Sequence, residues 1–168
     1  MKKLIYLLTI LLVSCKTINT STEKTNINKT IDSWHVAAAK ADFTTYFGLM
    51  TSNGVFIGTD PTENWQNQDF RKFSKPFFDK GKAWNFTSLE RNIYFSKDHK
   101  TAWFDELLST QMKICRGSGT LQKENGVWKI AHYVLSMTIP NENTDAVIKL
   151  KTAFENQIIE KLEKQKNN

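Results

Sequence analysis

The sequence predicts an α+β fold: a cone-shaped barrel of a curved antiparallel sheet wrapped on an N-terminal helix, with an additional C-terminal helix. Three observations predict it. Residues Ile31 to Met50 repeat apolar side chains near a 3.6-residue period. Residues Phe86 to Ile139 fall into strand-like runs separated by turn signals. A charged, helix-period segment follows from Thr144 to Gln165. Helices first and a run of strands afterwards is the α+β pattern.

Residues 1–15, MKKLIYLLTILLVSC, read as a signal peptide. Lys2 and Lys3 form the positive end, and Leu4 to Val13 is an apolar run too short for a stop-transfer helix. The ending Leu12-Val13-Ser14-Cys15 looks like a bacterial lipobox, whose cysteine is acylated, with palmitate among the chains, and becomes the first mature residue. That implies a lipoprotein anchored in the cell envelope, on the outer membrane or the periplasmic face. With Cys15 lipidated only Cys115 remains of the two cysteines, so no intramolecular disulfide is expected. Residues 16–29 are rich in Thr, Asn and Lys and read as a flexible tether. Residues 30–142 form the domain and 143–168 the C-terminal amphipathic helix. The net charge of +6 includes Lys2 and Lys3, and the cations are scattered among acids. This suits a solvated surface near an anionic membrane, with no nucleic-acid partner.

The helix Ile31 to Met50 places His35, Asp42 and Tyr46 on one line, inside its apolar stripe. Val55 to Gly58 reads as a short strand, Thr59-Asp60-Pro61 as a turn, and Asp69 to Asp79 as a helix that Pro76 kinks and Gly81 ends. Trp65 either caps a pocket or packs. In the C-terminal helix Val147, Leu150, Phe154, Ile158 and Leu162 form an apolar stripe. No phosphate loop or metal-ligand cluster is visible, so neither cofactor nor metal is expected.

Asn125-Gly126 is a two-residue hairpin signal that sets a register. It pairs Leu121 with Ile130, Gly119 with His132 and Gly117 with Val134. With Ser109 to Lys113 as a loop, Trp103 faces Gly119, Asp105 faces Gly117, and Glu106 faces Arg116. A turn at Lys97 to Lys100 adds Tyr94 beside Trp103, Asn92 beside Asp105 and Arg91 beside Glu106. The expected inner face then carries Tyr94, Trp103, His132, Asn92, Asp105 and Trp128. The expected outer face carries a charge row, Arg91, Glu106 and Arg116, among Ile93, Phe95, Phe104, Tyr133 and Leu135. So much apolar surface needs a cover, either the C-terminal helix or a second subunit, and of the two a homodimer is the favoured expectation.

The segments AKADFTTYF (Ala39 to Phe47), FIGTDPTENW (Phe56 to Trp65), AWFDE (Ala102 to Glu106), RGSG (Arg116 to Gly119) and WKIAHYVLSMTIPNE (Trp128 to Glu142) resemble the SnoaL-like branch of the nuclear transport factor 2-like superfamily. The resemblance implies a cone with an internal pocket. It also implies one of two functions. One is binding of a small apolar molecule, with Trp103, His35, Trp65, Tyr94, Asn92 and Trp128 as ligand contacts. The other is acid–base catalysis of the ketosteroid isomerase, polyketide cyclase or dehydratase type, with Asp105 or Asp42 as base and His132 or Tyr46 as hydrogen-bond donor. A plainer reading pairs Asp105 with Asn92 and leaves His132 a satisfied core residue.

Overall fold

A computed structural model describes residues 19–166. Cys15 and the predicted signal segment lie outside the described residues. The first helix, α1 (Thr20–Ala39), starts at Asn19, whose side-chain oxygen accepts from the N–H groups of Ser21 at 3.0 Å and Thr22 at 3.3 Å. It therefore takes up most of the expected tether: Ile27 is fully buried, and Glu23 pairs with Lys123 and accepts from the Trp128 indole. Its apolar stripe, Ile27, Ile31, Trp34 and Ala38, lies on the concave face of the sheet.

The expected helix through Met50 is two helices. The chain turns at Ala41, which has a φ of 53°, and Asp42 caps α2 (Phe43–Gly48) by accepting from the Thr45 N–H at 2.9 Å. An aspartate that can bond the backbone three residues on competes with the helix interior and starts a new helix instead. Strand β1 (Met50–Ile57) is longer than expected and carries an irregularity between Met50 and Val55. A short β2 (Asn64–Gln66) leads into α3 (Asn67–Asp79), which contains Pro76 and is followed by Gly81 at a φ of 69°. Four long strands follow: β3 (Thr87–Phe95), β4 (Thr101–Thr110), β5 (Lys113–Glu124) and β6 (Val127–Met137).

The six strands form one sheet in the order β2-β1-β6-β5-β4-β3. It is mixed: β1 runs parallel to β6, and the other pairings are antiparallel. The hairpin turn is as expected, with positive φ at both Asn125 and Gly126, and Leu121 pairs with Ile130. Two departures then change which side chains face inward. A bulge at Ala131 shifts β6 by one residue, so His132 pairs with Thr120 and Tyr133 with Gly119. The β4–β5 turn is only Gln111-Met112, so Trp103 pairs with Thr120, Asp105 with Ser118 and Glu106 with Gly117. Because side chains alternate, a slip of one exchanges the two faces.

Ile93, Phe104, Tyr133 and Leu135 consequently point into the core, and Trp103 and Tyr94 point outward, each nearly half exposed. Arg91 does lie beside Glu106, but on the inner face; Arg116 pairs with Leu107 and is exposed. The helix α4 (Thr144–Lys166) buries no residue, and the apolar side chains of Leu150, Phe154 and Leu162 are exposed.

Candidate functional site

The inner face of the sheet holds a buried carboxylate paired with a buried guanidinium. Glu106 is 1 % exposed, in the middle of β4. Its Oε1 accepts from His35 Nε2 at 2.8 Å and from the Tyr133 hydroxyl at 3.0 Å. Its Oε2 accepts from Arg91 Nε at 2.9 Å and Nη2 at 2.8 Å, a bidentate fork. Arg91 Nη1 continues to Asp32 at 2.8 Å and Asn28 at 3.0 Å. Asn28, Asp32 and His35 stand four and three residues apart, one line of α1. The network therefore ties α1 to β3, β4 and β6.

Burial alone would raise the Glu106 carboxyl; the His35 hydrogen bond and charge and the Arg91 guanidinium outweigh it and hold it below its ordinary value. Burial and the neighbouring Glu106 carboxylate push the Tyr133 phenol well above its usual range, so it stays a donor. All four lone-pair directions of Glu106 are occupied. A carboxylate so satisfied and so acidic is a poor general base.

The glycines of β5 make room for this arrangement. A Cβ at Gly117 would fall on the Tyr133 hydroxyl, and one at Gly119 would lie 2.5 Å from the His132 carbonyl oxygen and 2.8 Å from the Phe104 ring. The space they leave is filled by Tyr133 and Phe104.

Beyond the network the cone interior is aromatic. Phe56 stacks on Phe70 at 4.3 Å between ring centroids, Phe70 on Trp84 at 5.7 Å, and Trp34 on Tyr46 at 4.7 Å. At the mouth these rings open into a cavity of about 190 Å³ walled by Phe56, Phe70, Trp84, Phe86, Trp65 and Leu135. Thr59, Glu63 and Gln111 supply polar groups. A shallower cleft of about 290 Å³ lies between α1 and the start of β3, with His35, Asp32 and Val36 on one side. Phe86 lines both.

Two buried donors in this aromatic cluster have no acceptor: the Trp34 indole N–H and the Tyr46 hydroxyl. Leaving such a group unsatisfied costs about 1–3 kcal/mol. Burial raises the Tyr46 phenol well above its ordinary value, a rise that the nearby Trp84 indole eases without reaching hydrogen-bond geometry.

The structure thus brings together only part of the residue set expected from sequence. His35 and Tyr46 are inside the cone, and Trp65 walls the cavity. Trp128 is buried at the far end of its strand, its indole donating to Glu23 Oε2 at 2.6 Å. Asp42 is an exposed helix cap. Hydrogen bonding from Thr45 lowers its carboxyl. Asp105, His132, Trp103, Tyr94 and Asn92 share the outer face, where Asn92 donates to Asp105 at 3.2 Å and Tyr94 stacks on Trp103 at 6.0 Å. The line from α1 to the outer acid therefore does not form. Glu106, Arg91 and Tyr133 are the residues the sequence reading put on the wrong face. The signal for them was the opposite-charge pair Arg91–Glu106 directly across two strands. Among the described residues no cluster of His, Cys, Asp or Glu is arranged to hold a metal, and no helix is long and apolar enough to cross a membrane.

The model of the SnoaL-like domain family matches residues 27–140. Solved structures share the fold at low identity. A nuclear transport factor 2-like protein of unknown function from Pseudomonas putida superposes with a TM-score of 0.61 at 12 % identity, covering 76 % of this chain and 94 % of that one. A proposed scytalone dehydratase from Novosphingobium aromaticivorans gives 0.61 at 11 % identity, covering 71 % and 86 %. The association domain of C. elegans CaMKII gives 0.57 at 19 % identity, covering 70 % and 97 %. No curated protein matches the chain.

Proposed function

Since the chain belongs to the SnoaL-like domain family, we propose that it is an envelope-anchored lipoprotein whose domain binds a small apolar ligand at the mouth of its cone. The aromatic cavity carries this reading: about 190 Å³, walled by stacked rings, with a few polar groups. A cavity of about 150 Å³ accommodates one benzene ring, so this one suits a single ring with a short substituent. Proton-transfer chemistry has less support. The inner carboxylate has every lone pair engaged, and Asp105 and His132 lie outside the cone. Anchoring rests on the lipobox-like Leu12-Val13-Ser14-Cys15. Self-association rests on the exposed Tyr94–Trp103 stack of the outer face.

The test is saturable binding of toluene or ethylbenzene, followed by ligand-observed NMR. Leu135→Phe fills the cavity and should abolish it. If neither hydrocarbon shows saturable binding, or if Leu135→Phe binds like the parent, the cavity is packing space and the proposal fails.

A further inference from the structure

A knot of side chains ties the start of α1 to one end of the sheet. Glu23, in its first turn, accepts from Lys123 Nζ at 2.8 Å and from the Trp128 indole at 2.6 Å. Both partners belong to the β5–β6 hairpin. The Lys123 N–H donates to the Lys100 carbonyl at 2.9 Å, which brings in the β3–β4 turn. Asn19, the cap of α1, is therefore held near two hairpin turns. Cys15 stands four residues earlier. Four residues reach at most about 14 Å. Strand β5, with 12 residues, runs about 40 Å. A lipid on Cys15 could not bring the far end of the sheet down to the membrane.

Charge decides between a domain that stands on this end and one that lies on its side. The end carries Lys24, Lys97, Lys100, Lys123 and Lys129 against Glu23, Asp98 and Glu124. The three acids have local partners. Glu23 holds Lys123, Asp98 accepts from the Ser96 hydroxyl at 2.6 Å and the Lys100 N–H at 3.1 Å, and Glu124 lies 3.7 Å from the Lys129 ammonium. Lys24, Lys97 and Lys100 are exposed and, among the described residues, form no salt bridge. Val127, beside the hairpin turn, is 55 % exposed. Exposed lysines next to an acyl anchor are the second signal that holds a protein on an anionic bilayer.

Resting on the reading that Cys15 is lipidated, we infer that this end of the sheet docks on anionic phospholipid headgroups, with Lys24, Lys97 and Lys100 against the phosphates and the domain standing end-on. The cavity mouth then opens away from the bilayer, because Gln111, which helps to wall it, lies in the β4–β5 turn at the opposite end of both strands. The ligand accordingly reaches the cone from the aqueous compartment and not sideways out of the lipid.

The experiment measures height above a membrane. The lipidated chain is purified from membranes and reconstituted into vesicles of phosphatidylcholine with phosphatidylglycerol, with an acceptor dye on the headgroups. A donor dye is attached to Gln122→Cys or to Ser109→Cys, both at exposed positions; Cys115 is fully buried and does not compete. Gln122 pairs with Thr101 and Ser109 with Ile114, so eight residues of strand, about 26 Å, separate the two sites. Energy transfer should be several-fold more efficient from Gln122→Cys than from Ser109→Cys. The combined change Lys24→Glu, Lys97→Glu and Lys100→Glu, or vesicles without phosphatidylglycerol, should shrink that difference. Equal transfer from both sites, or more from Ser109→Cys, overturns the inference while the lipid anchor stands. A difference that the glutamate substitutions and neutral vesicles leave unchanged does the same. A purified parent whose intact mass shows no acyl chains overturns the anchor and the inference together.

Discussion

The Glu106 network makes a quantitative prediction. Glu106→Gln is nearly isosteric and removes one buried charge. The amide can turn its oxygen to Arg91 and its NH₂ to Tyr133, whose hydroxyl can accept as well as donate. What it cannot replace is the negative charge facing a guanidinium whose side chain is only 6 % exposed. Arg91 would keep Asp32, but that carboxylate is 60 % exposed and too well hydrated to compensate. Breaking a buried pair on one side costs about 3–5 kcal/mol. Allowing for the retained hydrogen bonds, about 3 kcal/mol is expected, a fall in Tm of roughly 6–12 °C for a domain of this size. Urea denaturation measures it directly. The pH dependence gives a second readout. The folded carboxyl lies below its ordinary value near 4.5, so its contribution is complete above that pH and is lost as pH falls through the folded value. The gap between parent and variant should therefore be constant at neutral pH and close in acid. A loss under about 1 kcal/mol, or a gap that persists unchanged in acid, would refute the clamp. Removing both charges, Arg91→Met with Glu106→Leu, should cost less than Glu106→Gln alone, because no buried charge is left unpaired.

Three further outcomes are expected. Gly117→Ala should destabilise by about 1–3 kcal/mol because its methyl displaces the Tyr133 hydroxyl from Glu106, and adding Tyr133→Phe should recover part of the loss in the same denaturation assay; no recovery would mean the clash lies elsewhere. Cys15→Ser should release the protein from membranes or leave its precursor uncleaved, as read by fractionation and intact mass, and normal processing and retention would exclude lipid anchoring. The soluble domain should sediment as a dimer that Trp103→Glu converts to monomer; a parent that stays monomeric at high concentration, also after deletion from Thr144 onward, rules out pairing through the outer face.

How far the sequence could be read depended on where the chain announces its register. Asn125-Gly126 announces it, and the pairing from Glu124–Val127 to Leu121–Ile130 follows. The turn at Lys97 to Lys100 does the same for Arg91–Glu106 and Asn92–Asp105. At the β4–β5 connection nothing does. Gln111-Met112 has neither glycine nor asparagine, and the positive φ falls on Lys113. The bulge at Ala131 is equally silent, since alanine at a bulge looks like alanine in a strand. The two unsignalled shifts made the face with Asp105 and His132 look like the interior.

The apolar content of β4 pointed the other way. Ala102, Phe104 and Leu108 alternate on one face, and only Glu106 argues against burying it. A charge in an otherwise core-facing row is misleading when judged alone. Judged with its cross-strand neighbour it is informative, because Arg91 directly opposite supplies the opposite charge and a bidentate fork that offset such burial. The same logic joins Gly117 to Glu106. Opposite a buried, hydrogen-bonded carboxylate, β5 has no room for a methyl group once Tyr133 reaches across to donate. Glycine, arginine, glutamate and tyrosine on four adjacent strands are thus consequences of a single constraint: α1 is pinned to the sheet through an ionised group in the core. The pin fixes where α1 lies across β3, β4 and β6, and with it the depth to which the apolar stripe of that helix enters the cone.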